Sequence, residues 1–151
     1  MAERVRVDGL RELEQAMMEL SRATSRNVAR KALMKGAEPI LESAQAAAPV
    51  GPTGNLKASY GIGTKLTRRQ QKLHKKESPV EVFVGPNDPA AVQTEFGNAH
   101  QAAQPHLRPA WDSRQKQTLE IIKTELGTEI DKAAKRAARK TARLARRASG
   151  G

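Results

Sequence analysis

The stretch Ala47-Ala48-Pro49-Val50-Gly51-Pro52-Thr53-Gly54-Asn55-Leu56-Lys57-Ala58-Ser59 separates a helical first third of the chain from a region of short strands. Two prolines and two glycines fall between Ala48 and Gly54. Proline cannot donate to a helical hydrogen bond, and closely spaced glycine and proline fix turns, so a helix stops here.

Upstream, Val28, Ala32, Ala37, Leu41, Ala44 and Ala48 form one apolar helical face. Pro39 lies inside that face and predicts either a kink or two helices. Further back, Leu10, Leu13, Met17 and Leu20 recur at helical spacing, with Glu12, Glu14 and Glu19 on the polar side. Asp8 is the expected cap of that helix, and Arg4 to Val7 the expected short strand before it.

Downstream, Leu56 to Ile62 places Ala58, Tyr60 and Ile62 on one parity, and Val80 to Val84 does the same with its three valines. Both read as half-buried strands, with Val92 to Phe96 as a third short strand or an irregular edge. Between the first two lies a basic segment, residues 65–79. It carries Lys65, Arg68, Arg69, Lys72, Lys75 and Lys76 against Glu77 alone. Leu66 and Leu73 are its only strong apolar anchors, so a mobile loop is preferred over a projecting hairpin arm.

The last helix is introduced by Gln104 to Asp112, with Pro109 suited to its first turn. Leu119, Ile122, Leu126 and Ile130 make its apolar stripe. Beyond Ile130 the stripe weakens to alanines and Leu144, while Lys132, Lys135, Arg136, Arg139, Lys140, Arg143, Arg146 and Arg147 occupy most of the remaining circumference. Residues 132–151 contain no acidic residue, so the tail supplies +8 of the formal +11 and the body holds 19 basic against 16 acidic side chains. The expected organisation is a body over 1–131 that includes the arm 65–79, and a basic extension over 132–151 that is helical when bound. Such a tail suits a negatively charged partner.

At 151 residues the chain suits one domain, yet it has only one Trp, one Tyr and two Phe, and much of its 38% hydrophobic content is alanine. Alanine buries little area, so an assembled oligomer fits the modest core better than a monomer. The chain has no cysteine, which excludes disulfides and cysteine metal sites. No apolar run approaches the roughly 20 residues that span a bilayer, and the tail has no bulky apolar face to insert into one. A soluble cytoplasmic product is expected, with no membrane partner.

Catalysis has little support. His74, His100 and His106 lack a nucleophile context; His100, His106 and Glu95 assemble as a metal site only on paper, at a spacing that matches no site class. Gly51, Gly54, Gly61 and Gly63 fit neither a phosphate loop nor a dinucleotide fingerprint. No enzyme activity and no cofactor is expected. The basic arm and tail remain as candidate contacts to DNA or an acidic partner: Arg68, Arg69, Lys72, Lys75 and Lys76 in the arm, and the eight tail cations. No reading helix, zinc finger or aromatic platform is evident, so DNA contact would be non-sequence-specific.

The ordered series Val7-Asp8-Gly9-Leu10, Ala32-Leu33, Gly36-Ala37, Ala47-Ala48-Pro49, Thr53 to Ser59, Val84-Gly85-Pro86, Glu95-Phe96-Gly97 and Gln104 to Ala110 resembles the tailed-bacteriophage family of small head–tail joining and tail-completion proteins. The similarity covers about Val5 to Ile130. It implies an α+β fold, with N-terminal helices and a long C-terminal helix packed on a small antiparallel sheet. It also implies a noncatalytic ring subunit, preferably of a hexamer, around the DNA channel in the neck of the virion. A head-completion or connector ring would lie on one side and the tail tube on the other. The resemblance further implies manufacture in the bacterial host cytoplasm. Phe96, Leu107, Arg108 and Trp111 are the candidate ring or partner contacts, with Arg108 suited to fork onto a carboxylate or backbone carbonyls. His106 departs from the family pattern, which often has an aromatic there, and the arm and tail are poorly covered. The rival reading is a small DNA-binding protein acting through its basic tail.

Overall fold

The computed structural model describes residues 9–150. The expected strand Arg4 to Val7 and the Asp8 cap lie outside them. α1 spans Leu10–Met18 and follows Gly9, whose φ of 83° is a conformation glycine adopts without strain. Ser21 then caps α2, Arg22–Ala47, by accepting from the Thr24 N–H at 3.3 Å. α2 is one helix with Pro39 inside it, so of the two expected alternatives the pair of separate helices is excluded.

α2 packs antiparallel along α6, Leu107–Ser149, and this pair is the spine of the molecule. Two apolar clusters hold its ends. Ile40, Ala44, Ala48, Tyr60 and Ala110 are buried at one end, with Leu41, Val84 and Leu107 against them. At the other end Val28, Ile130 and Ala133 are covered by Leu13, Met17 and Leu20 from the α1 side and by Leu126. Between the clusters the helices approach closely at Gly36: a Cβ there would lie 2.4 Å from Ile122 Cγ1 and 3.2 Å from the Thr118 carbonyl oxygen. The many alanines thus serve as contact residues of a tight helix pair, which is how a chain poor in aromatics closes a core.

A two-stranded antiparallel sheet caps the first cluster. β1, Tyr60–Gly63, pairs with β2, Phe83–Pro86, in the register Tyr60↔Pro86 and Gly63↔Phe83. The α+β architecture expected from sequence is therefore present, with N-terminal helices and the long C-terminal helix packed on a small sheet.

Three local expectations are corrected. The first half of the expected strand Leu56 to Ile62 is a helical turn, α3, Asn55–Ala58; Gly54, at φ 67°, starts it and Leu56 is its buried residue. The expected strand Val80 to Val84 begins only at Phe83, because its partner leaves the sheet after Gly63 and the Glu81 carboxylate instead accepts from the Glu77 and Ser78 N–H groups. The segment Val92 to Phe96 lies in a helix, α5, Ala90–Phe96. Asp88 Oδ1 accepts from the Ala90 N–H at 2.8 Å and starts α5, whose buried residues Ala91, Thr94 and Glu95 follow helical spacing.

The arm is neither a hairpin nor wholly irregular. It contains α4, Arg68–Leu73, with a reciprocal capping box between Thr67 and Gln70. An edge-on contact of His74 with Phe83, 5.3 Å between centroids, ties its far end to β2. Among the described residues no helix is long and apolar enough to cross a membrane.

Candidate functional site

The site most tightly built by the fold lies where α5 meets the start of α6. His106, the residue before α6, provides no side-chain cap of its own. The cap arrives from α5: Glu95 Oε2 accepts from the His106 and Leu107 N–H groups at 2.8 and 3.0 Å, and Oε1 from the Arg108 N–H at 3.0 Å. A carboxylate there also faces the positive end of the helix dipole. Arg108 completes the latch, donating Nε–H to Glu95 Oε1 at 3.1 Å and an amino group to the Glu95 carbonyl at 3.0 Å. This is the carboxylate-and-carbonyl fork suggested by the Arg108 sequence context. Burial pushes the Glu95 carboxyl up, but the three backbone N–H groups and the guanidinium outweigh it and hold the pKa down at about 2.

Behind the latch, Tyr60 Oη pairs with His106 Nδ1, and His106 is 1% exposed. His106 Nε2 has no hydrogen-bond partner and lies 3.6 Å from Glu95 Oε2. His106 is thus a core residue rather than a surface anchor. Burial, then the Glu95 charge, pushes the Tyr60 phenol up to about 12. Its contribution to stability is therefore complete below pH 10, the ordinary phenol value, and disappears as pH rises toward 12. Tyr60→Phe leaves a buried imidazole nitrogen unpaired and is expected to cost about 1–3 kcal/mol in denaturant unfolding. A cost near zero would show that the pair contributes nothing.

The other candidate contacts divide. Leu107 faces inward onto the cluster around Ile40, whereas Phe96 and Trp111 are 62% and 51% exposed. Phe96 and Arg108 are brought together, with the guanidinium carbon 4.5 Å from the ring centroid. Phe96, Val92 and Leu73 border a groove of ≈ 730 Å³ between α4 and α5. Glu95 and Arg108 form the latch, with His106 and Tyr60 behind it; in the sequence Tyr60 reads as a strand residue, and Glu95 as part of a short motif and of a rejected metal grouping.

The basic residues are arranged differently. Arg68, Arg69, Lys72, Lys75 and Lys76 are all exposed on the arm. α6 continues as one helix through the tail to Ser149; Ala133 is buried, and every described residue after it is exposed. At 100° per residue the eight tail cations fall within a sector of about 140°, with alanines, Thr141 and Leu144 on the other side.

The HK97-gp10-like family model, described as "Bacteriophage HK97-gp10, putative tail-component", matches residues 11–97. This span covers more than half of the chain and runs from α1 through α5. The chain belongs to that family of bacteriophage tail components. No curated protein and no solved structure gives a match.

Proposed function

We propose that this protein is a structural, noncatalytic subunit of a ring at the head–tail interface, joining or completing the tail around the DNA channel. The observation that carries the reading is the family match over residues 11–97. The exposed apolar side chains support it. Leu73, Val92, Phe96 and Trp111 lie on the surface of a chain whose own core is small, and a closed ring repeats such modest contacts until they are stable. Six subunits is the preferred number. A head-completion or connector ring and the tail tube are the neighbours at its two faces, and the basic arm and tail are left for the periphery or for DNA.

Truncation separates this reading from a DNA-binding protein that acts through its tail. A chain ending at Ala134 keeps Ala133, which is buried against Val28 and Ile130, and loses the unsupported helix beyond it. Supplied to a phage that lacks the protein, this chain is expected to restore joined particles while losing most of its affinity for DNA. Failure to join heads to tails, with the truncated protein folded, would move the function into the tail.

A further inference from the structure

Arg30 of α2 lines two basic hollows at once. One, of ≈ 710 Å³, lies between α2 and α6, where Arg30 and Lys31 face Arg136 and Lys140 across a floor that includes Val28 and Ala133. The other, of ≈ 470 Å³, lies beneath the arm, where Arg30 meets Lys65 and Lys76. The arm and the tail, separate in sequence, therefore converge on one side chain of the body. The carboxylates in these hollows are Glu19, Glu129 and Glu81. Glu129 is engaged by Lys31 at 3.3 Å and Lys132 at 3.4 Å, and Glu81 by His74 at 2.9 Å. Among the described residues Arg30, Lys65, Lys76, Arg136 and Lys140 form no ion pair with a carboxylate, and Arg30 bonds only Asn27 Oδ1, at 3.1 Å.

We propose that these side chains form one continuous track for the phosphate backbone of duplex DNA, running from Lys65 and Lys76 of the arm over Arg30 to Arg136 and Lys140, and on along the cationic sector of the tail. The length of the track selects the partner. The tail beyond Ala133 adds about 24 Å of helix bearing regularly repeated cations, which matches a linear polyanion better than a compact acidic patch. No base-reading element accompanies it, so binding is independent of sequence. The inference deepens the DNA contact left open above and makes Arg30 the element that joins arm and tail.

The test is binding of the full-length protein to a labelled random-sequence duplex across a salt series. Each phosphate contact contributes roughly 0.9 to the slope of log affinity against log salt. Arg30→Gln, Lys76→Gln and Lys140→Gln are each expected to reduce that slope by about 0.9, and the triple variant by about 2.7. All three positions are exposed, and a circular dichroism spectrum like that of the unaltered protein confirms the fold. An unchanged slope for Arg30→Gln beside a reduced one for Lys140→Gln would overturn the track and leave the tail acting alone. Absence of duplex binding by the unaltered protein at low salt would overturn it as well. Neither result bears on whether the protein forms a ring in particles, so this inference and the neck assignment fail separately.

Discussion

Glu95→Gln is expected to destabilise the fold by about 3 kcal/mol, the upper range for leaving buried donors without their charged acceptor. The carboxylate is 6% exposed and accepts from three successive backbone N–H groups and the Arg108 guanidinium. An amide presents one acceptor oxygen and turns an NH₂ group toward donors, so at least one buried N–H or the Arg108 fork loses its partner. The start of α6 then frays, and with it the seat of Leu107 and Ala110 in the first cluster. The same latch sets a pH dependence. The folded-state pKa of about 2 is below the ordinary 4.5, so the stabilisation is present above pH 4.5 and is lost as pH falls toward 2. Denaturant unfolding at neutral and acidic pH measures both effects. A loss under about 1 kcal/mol at neutral pH, or an acid limb that Glu95→Gln leaves unchanged, would contradict this role for Glu95.

Gly36→Val is the second large effect, expected at about 3 kcal/mol through overpacking. Replacing a helical glycine recovers up to about 1 kcal/mol of propensity, but a Cβ at this position meets Ile122 Cγ1 at 2.4 Å, near the root of that side chain rather than at its flexible tip. The Thr118 carbonyl oxygen at 3.2 Å is backbone and does not yield. α2 and α6 must therefore separate at the middle of the spine, loosening both clusters. Ile122→Ala in the same chain removes the nearest obstacle and is expected to recover at least 1 kcal/mol relative to the sum of the two single changes. Strict additivity in that double-mutant cycle would show that the contact is not the cause.

The spine of this fold is legible in the sequence because it rests on long helical periodicities, which survive even where alanine replaces larger residues. Val28, Ala32, Ala37 and Ala44 fall on the buried face as the spacing predicts. The short elements are not legible in the same way. Over four to seven residues, alternation and helical spacing give nearly the same pattern, and Asp88 before Pro89 decides in favour of a helix at α5. α4 did carry a local signal, the Thr67-Arg68-Arg69-Gln70 capping box. The Glu95 latch showed only its Arg108 half, a guanidinium suited to fork; its other donors are backbone groups 11 to 13 residues away, which leave no trace in residue identity. Arg30 was hidden for a related reason: the arm and tail reveal their charge in sequence, whereas their meeting place is fixed only by the packing of α2 on α6.

Symmetry-resolved electron microscopy of purified tailed particles tests the neck assignment most directly. A ring of this fold between the head connector and the tail tube, with the α2–α6 spine recognisable in each subunit, is the predicted result. Intact particles whose neck density is complete without this fold would contradict the assignment.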